Sequence, residues 1–442
     1  MGKQNKKQRT AYKGFNTDMT CRDFQYEEGR EYETESGFKG SNGFSACNFP
    51  MKCFAHYSPS TSVYHEVEQG GEVCGDSIGL FSTKITVGKR LGCAELIQAA
   101  VDFIKERHPK RIRKSAATRK GRNVSVVSKE YSISSIEGDY HSAAIASTEE
   151  SVATASGYNC ASLATSPMSA SIAKGDSVAS IATSNCSASS ATGTHAVAVT
   201  TGNLCMADIG GDDDKMGKCS VSSVAVATGD ESMATMKGSY GAAVCAGVES
   251  KAVSVGYSAI SASAHTRSRA ESTGDGCVAV DTGDRGEAHS DGQHSVSVTT
   301  RCGQSFSGCL YGTAVSTGNI GTATSDGESG ASVVNGMFSS AISRGDKGIA
   351  VAMGQHCSAE ATNRASIAAA LGAKCCAEGN TGSWVVLAEW TEDGTSVKDI
   401  KAFLVDGATV KSNTKYCLRD GAICALENVP EDNAYVPASA EG

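Results

Sequence analysis

Three groups of side chains in this 442-residue chain are of a type that could do chemistry. Asp212, Asp213 and Asp214 stand in a row, a set of carboxylates a hard divalent cation could use. The surrounding run Gly211 to Cys219 has the composition of a solvated loop, however, and no metal is expected there. His195, His265, His289, His294 and His356 occupy different positions of the repeat described below, so they form no ladder of ligands. Eighteen cysteines accompany a start, Met1 to Lys13, that is basic and polar and lacks the apolar segment of a secretory signal. They read as thiols kept reduced in a cytoplasm, with Cys160, Cys205, Cys277, Cys357 and Cys375 serving as small interior residues; disulfides are the alternative. No catalytic residue, cofactor or metal follows from these groups.

The element that must position everything else is a nine-residue repeat from about Asp139 to Glu389. It is seen in Gly175-Asp-Ser-Val-Ala-Ser-Ile-Ala-Thr183, Gly193-Thr-His-Ala-Val-Ala-Val-Thr-Thr201 and Gly292-Gln-His-Ser-Val-Ser-Val-Thr-Thr300. So strict a period means a solenoid, whose repeats bury their faces on one another. Positions 4, 6 and 8 are small, as in Ser151/Ala153/Ala155 and Ser366/Ala368/Ala370, while positions 5 and 7 vary. Alternation with period two is a strand with its small face inward, and glycine at position 1 supplies a turn with positive φ.

The outward positions count the strands per coil. Apolar pairs stand at Val197/Val199, Val224/Val226, Ile260/Ala262, Val278/Val280, Val296/Val298, Ile349/Val351, Ile367/Ala369 and Val385/Leu387. After 220 they alternate with polar pairs such as Arg269/Glu271 and Glu287/His289. The true period is therefore eighteen residues and two strands make one coil. This predicts a mainly β chain built on a flat two-sheet parallel β-roll with one apolar and one polar outer face. The phase of the apolar pairs reverses between 202 and 220, and removing 211–219 restores it, so that block is expected to bulge as a loop. One further residue is missing, and the spacing places the loss in 310–317.

Charge is uneven. Residues 1–123 hold 21 Lys+Arg against 14 Asp+Glu, and the remainder 19 against 34. The basic excess peaks at 105–122, a run without the interleaved aromatics that stack on bases, so it reads as a linker and nucleic acid is not an expected partner. No apolar run reaches 18 residues, so no membrane span is expected. The expected domains are a basic tail 1–10, a small α/β domain 11–107, a basic linker 108–123, the solenoid 124–390, a C-terminal β cap 391–430 and a disordered tail 431–442. Within the first domain, Leu96, Ile97, Ala100, Val101 and Ile104 recur at helical spacing before Pro109.

Lys13-Gly14-Phe15, Cys21, Phe24-Gln25-Tyr26-Glu27, Gly43-Phe44, Ala46-Cys47 and Tyr57-Ser58-Pro59 resemble an uncharacterised domain family of phage and gut bacteria. That family often precedes a Gly/Ala/Ser solenoid and a segment like Gly382 to Trp390; it usually has His where this chain has Ser45. The resemblance implies a phage-encoded or bacterial protein, cytoplasmic or virion-associated, and implies no activity. The repeats are similar to the roll-shaped heads of trimeric autotransporter adhesins, which associate through such a face, although those heads use a different repeat length. Tyr12-Lys13-Gly14 and Gly43-Phe44 with Tyr57 also resemble the nicotinamide frame of ADP-ribosyltransferases. Neither Glu66 nor Glu68 sits in the context of that family's glutamate.

A stripe of Val and Ile along a whole roll is too large an apolar patch to stay in water. The expectation is a non-enzymatic structural or binding protein that forms a homo-oligomer, or packs on another protein, through the outer residues Val197, Val199, Val224, Val226, Ile260, Val278, Val280, Val296, Val298, Ile349, Val351, Ile367, Val385 and Leu387. The polar face and the loop 211–219 are expected to meet solvent. The alternative is a nucleotide-acting N-terminal enzyme of ADP-ribosyltransferase type with the roll as spacer.

Overall fold

The computed structural model describes residues 9–34, 43–75, 79–116, 123–210 and 220–428. It falls into two compact units, Met1–Gly238 with Ala243–Ser250, and Ser239–Ala242 with Lys251–Gly442. Residues 1–8 of the expected basic tail, the expected tail 431–442 and the block 211–219 lie outside the described residues, while Arg9 and Thr10 already belong to a strand.

Each unit contains a stretch of parallel β-solenoid whose successive strands belong alternately to two sheets. Sheet I includes Ser142–Ala146, Ala161–Ala164, Ala179–Thr183 and Val197–Thr201 in the first unit, and Ile260–Ala264, Val278–Asp281 and Val296–Thr299 in the second. Sheet II includes Val152–Tyr158, Ala170–Lys174 and Ala188–Thr192 in the first, and Arg269–Thr273 and Glu287–Asp291 in the second. Paired residues are eighteen apart, as Ala161 with Ala179 and Ile260 with Val278. Two strands per coil is thus the observed architecture, and a three-walled helix is ruled out.

The interior is as thin as the small residues require. In the first unit the hydroxyls of Ser162 and Ser171, on opposite sheets, are 2.6 Å apart, and Ser189 donates across to the Ser180 carbonyl at 2.7 Å. Side chains that span a slab this narrow leave room for methyl-sized groups and little else. The turns explain the glycines. Gly193 has φ +132°, and a Cβ there would lie 1.9 Å from the Gly175 carbonyl oxygen of the coil before. A second left-handed position, two residues on, is filled by any residue: Ser177 (φ +55°), His195 (φ +52°) and Leu204 (φ +57°). Its N–H bonds to the neighbouring coil, as Ser177 N–H to the Thr194 carbonyl at 2.9 Å, which offsets the steric cost of that conformation.

Three details of phase differ from expectation or refine it. Val197 pairs with Val224 and Met206 with Met233, nine residues beyond the usual offset, in line with one extra block between these strands. Within this enlarged coil the interior admits Ile209 beside Met236, both fully buried. The missing residue is not in 310–317. Glu287 pairs with Gln304 and Val296 with Thr313, each one short, whereas Gln304 and Thr322 are a full coil apart, so the short turn is 300–303. Gly303 stands in the position later held by Gly312 and Gly321, immediately before a strand, and not at the turn position its spacing suggests. A second short turn, 380–383, is described with the outer face below.

The N-terminal part of the first unit is an antiparallel sheet of Arg9–Asn16, Ser62–Gly75, Leu80–Leu91, Glu31–Glu33 and Phe44–Ala46. It is followed by a helix, α1 (Cys93–Arg107). The Glu95 carboxylate accepts from the Gly92 N–H at 3.0 Å to cap α1, and Pro109 follows its end. The buried face of Leu96, Ile97, Ala100, Val101 and Ile104 packs on Ile133, Val152, Ala170, Ile172, Ala188 and Met206, the outward side chains of sheet II. Each large member of that face contributes about 1.5–3 kcal/mol. In the first unit, therefore, sheet II does not present a polar face to solvent as expected; it is the floor on which the helix lies. Strand Ile112–Ala116, inside the expected linker, pairs in parallel with Ile133–Tyr140 and so already belongs to the solenoid.

In the second unit the sheet II outer face carries Arg269 between Glu271 (2.6 Å) and Glu287 (3.2 Å), with Lys251 on Glu271 at 2.8 Å. The end of this unit is closed by Val397–Leu404, antiparallel to Trp384–Trp390, and by the hairpin Tyr416–Arg419/Ala422–Ala425. Val405, Val410, Tyr416 and Leu418 cover Ala377, Val385 and Leu387, so the last coil's interior is sealed.

A carboxyl stands among the inward residues of the second unit. Asp281, fully buried in sheet I, accepts from Ser263 Oγ, from Ser268 Oγ (2.7 Å) and from the Gly283 N–H (2.8 Å). Burial nevertheless raises its pKa, against the lowering effect of those donors. The folded chain then holds this proton to higher pH than the unfolded chain, so the associated stability is fully present below the ordinary value of 3.8 and is lost as pH rises through the raised value. Asp281→Asn is expected to gain in melting temperature relative to the parent as pH is raised from about 4 to 7. A difference that stays constant over that range would show that the carboxyl does not titrate abnormally.

Candidate functional site

Sheet I supplies the first candidate. In the first unit Val197 and Val199 stand in register with Val224 and Val226, all outward. In the second unit Ile260, Val278 and Val296 form one outward row and Ala262, Val280, Val298 and Val315 the next. Further along that unit Ala331, Ile349, Ile367 and Trp384 are in line, beside Val333, Val351, Ala369 and Val386. Ile260, Ile349, Ile367 and Trp384 are 36–46% exposed. Among the described residues, no outward position on the parallel strands of sheet I carries a charge.

Val385 and Leu387 do not belong to this face. They pair with Ala368 and Ala370 and are buried in the capped interior, because the turn 380–383 is one residue short and reverses the alternation. Trp384 and Val386 take the outward places. On the antiparallel strand that follows, Leu404 and Ile400 lie opposite Trp384 and Ala388 and are exposed, extending the apolar surface onto the cap. Sequence reading missed these four, since a one-residue slip in a Gly/Ser/Thr turn leaves no mark in composition.

The second candidate is a cleft of about 500 Å³ in the N-terminal domain. Tyr12, Lys13 and Gly14 come to it from Arg9–Asn16, Ser45 and Ala46 from Phe44–Ala46, and Cys53, His56 and Tyr57 from the turn that begins at Pro50. Lys13, only 4% exposed, donates from Nζ to the Ser45 carbonyl at 2.8 Å and lies over the Phe15 and Tyr26 rings at 5.6 and 5.7 Å. Its bond is to backbone, so the side chain at 45 does not hold it. A Cβ on Gly14 would sit 2.6 Å from the Tyr57 Cβ, which makes glycine obligatory under that ring. The Tyr57 hydroxyl donates to Cys21 Sγ at 2.8 Å, and Tyr64 donates to the Tyr57 carbonyl at 2.7 Å. Burial, then the Glu66 charge, pushes Tyr12 up to about 12, and burial likewise raises Tyr57.

The structure thus brings together Tyr12, Lys13, Gly14 and Tyr57, which the sequence had grouped. Phe44 is not among them; it packs with Phe15, Tyr26 and Ile85 in a separate core. Arg22, Cys21, Cys47, Cys53 and Phe81 complete the wall and were not singled out as a group. The described lining residues include no carboxylate; Glu66 lies opposite Tyr12 on the neighbouring strand, outside the lining. No helix among the described residues is long and apolar enough to cross a membrane.

A family model described as a domain of unknown function (DUF7666) matches residues 9–99, the stretch that carries the antiparallel sheet, the cleft and the start of α1. No curated protein and no solved structure matches the chain.

Proposed function

We propose that this chain is a non-enzymatic structural or binding protein that forms a homo-oligomer through the outer face of sheet I. The uncharged outward rows of sheet I carry the reading, because they contrast with the ion-paired outer face of sheet II in the second unit. A monomer rarely exposes so large an apolar surface, and an identical copy offers a face of matching chemistry. The similarity of the repeats to trimeric autotransporter heads supports this mode of assembly. The N-terminal motifs support a phage-encoded or bacterial origin, with a cytoplasmic or virion-associated location. Light scattering on the purified chain tests the proposal: a mass of two or more protomers is expected, and a monodisperse monomer at micromolar concentration would overturn it.

A second reading, a nucleotide-acting N-terminal domain of ADP-ribosyltransferase type, is favoured by one observation, the meeting of Tyr12, Lys13, Gly14 and Tyr57 in one cleft. Incubation with labelled NAD separates the two, since absence of both hydrolysis and transfer removes the enzymatic reading.

A further inference from the structure

Two cysteines that the solenoid does not explain share the N-terminal cleft. Cys47 follows strand Phe44–Ala46 and is held by reciprocal backbone hydrogen bonds with Tyr12, at 2.8 and 2.7 Å. Cys53 lies in the turn Pro50–Ala55, close enough to Cys47 for the two side chains to interact. Both line the cavity together with Lys13 and Arg22, and both are free thiols.

We propose that this cleft is a thiol–disulfide exchange site, in which Cys47 attacks a small anionic disulfide and Cys53 resolves the adduct. Three observations converge on it. The paired thiols stand at the wall of a cavity large enough for a small peptide disulfide. The positive lining, without a carboxylate among its described residues, selects for negative charge. Accessibility assigns the roles: Cys47 keeps 7% of its surface exposed and Cys53 none, in agreement with the electrostatics, where the Cys53 side chain, aided by the Lys13 and Lys52 charges, lowers the Cys47 pKa while burial and then Cys47 itself raise Cys53.

The step balances without any other reactant. The Cys47 thiolate attacks one sulfur of the disulfide, forms a mixed disulfide and expels a thiolate that takes up a proton. Cys53, losing its proton, then attacks the Cys47 sulfur and releases the second small thiol. Two protein thiols are oxidised to one disulfide, and one small disulfide is reduced to two thiols.

The solenoid provides an internal comparison. Cys357 and Cys375 also interact, and the Cys375 hydrogen bond brings Cys357 down to about 7; they are as buried as Cys47 and Cys53, yet neither lines a described cavity. Exposed Cys74 supplies the accessible reference.

The full chain is incubated with oxidised glutathione and its cysteines are mapped by mass spectrometry. The expected product is a Cys47–Cys53 disulfide formed at least about tenfold faster than any adduct at Cys74. In Cys53→Ser the Cys47–glutathione adduct accumulates, and in Cys47→Ser residue Cys53 stays unmodified. Adduct at Cys74 while the pair stays reduced, or equal reaction of Cys53 in Cys47→Ser, overturns the proposal. Should a variant fail to fold, alkylation of the parent chain decides: Cys47 should prefer anionic iodoacetate over neutral iodoacetamide relative to Cys74, and an absence of that preference also overturns it.

Discussion

Lysine at both Val280 and Val333 is expected to leave a folded monomer in place of the proposed oligomer. The two valines are outward on sheet I, several coils apart within the second unit, and neither is part of the slab interior. A charge placed in an apolar interface without a partner costs roughly 3–5 kcal/mol, so each lysine should weaken association by more than about a hundredfold. The same substitutions at a half-exposed strand position should change the stability of the single chain by no more than about 1 kcal/mol. Mass from light scattering and the melting temperature are measured together, with Glu287→Lys on the sheet II face as control. A double variant that keeps the parent mass would remove the sheet I face as the site of assembly.

Leucine at Ala279 is expected to damage the fold itself. Ala279 is fully buried and packs with Ala270 and Ala288, which belong to the opposite sheet. The added methyl groups have no cavity to enter, and overpacking of this kind costs about 1–3 kcal/mol or more. Serine at the same place should be milder, because the in-register neighbours on either side are Ser261 and Ser297. Urea unfolding of the full chain orders the three proteins as parent, Ala279→Ser, Ala279→Leu. A leucine variant as stable as the parent would mean that the slab can swell, and the small-residue rule would lose its physical basis.

Both outcomes rest on features that differ in how visible they are along the chain. The wall at Val278, Val280, Val296 and Val298 was readable because side chains alternate strictly within a strand, so a local pattern fixes which residues share a face. Val385 and Leu387 show the limit of that logic. They sit in an apolar segment of the right length, yet the short turn at 380–383 sends them inward and Trp384 and Val386 outward. The displaced deletion, 300–303 instead of 310–317, has the same origin: the turn Thr300-Arg301-Cys302-Gly303 carries no mark of the lost residue, and register is set by the neighbouring coil.

The cleft was partly legible. Tyr12-Lys13-Gly14 and Tyr57 were grouped from their motif, and the structure adds Cys47 and Cys53, whose six-residue separation carries no signal until a turn folds them together. The covering of sheet II by α1 was not legible either. Ile133, Val152, Ala170 and Met206 are ordinary strand residues, and only a helix lying across them shows why that face is apolar in the first unit.

The amino-acid order alone determined the two-strand coil, the methyl-scale interior and the uncharged rows of sheet I, since each follows from alternation and side-chain volume within two successive nine-residue blocks. Tertiary structure alone decided the turn slips, the helix on sheet II, the sealing of the last coil and the pairing of two thiols at one cavity. Those depend on contacts between residues far apart in the chain, where shape and hydrogen bonding to a neighbour, not local pattern, select the arrangement.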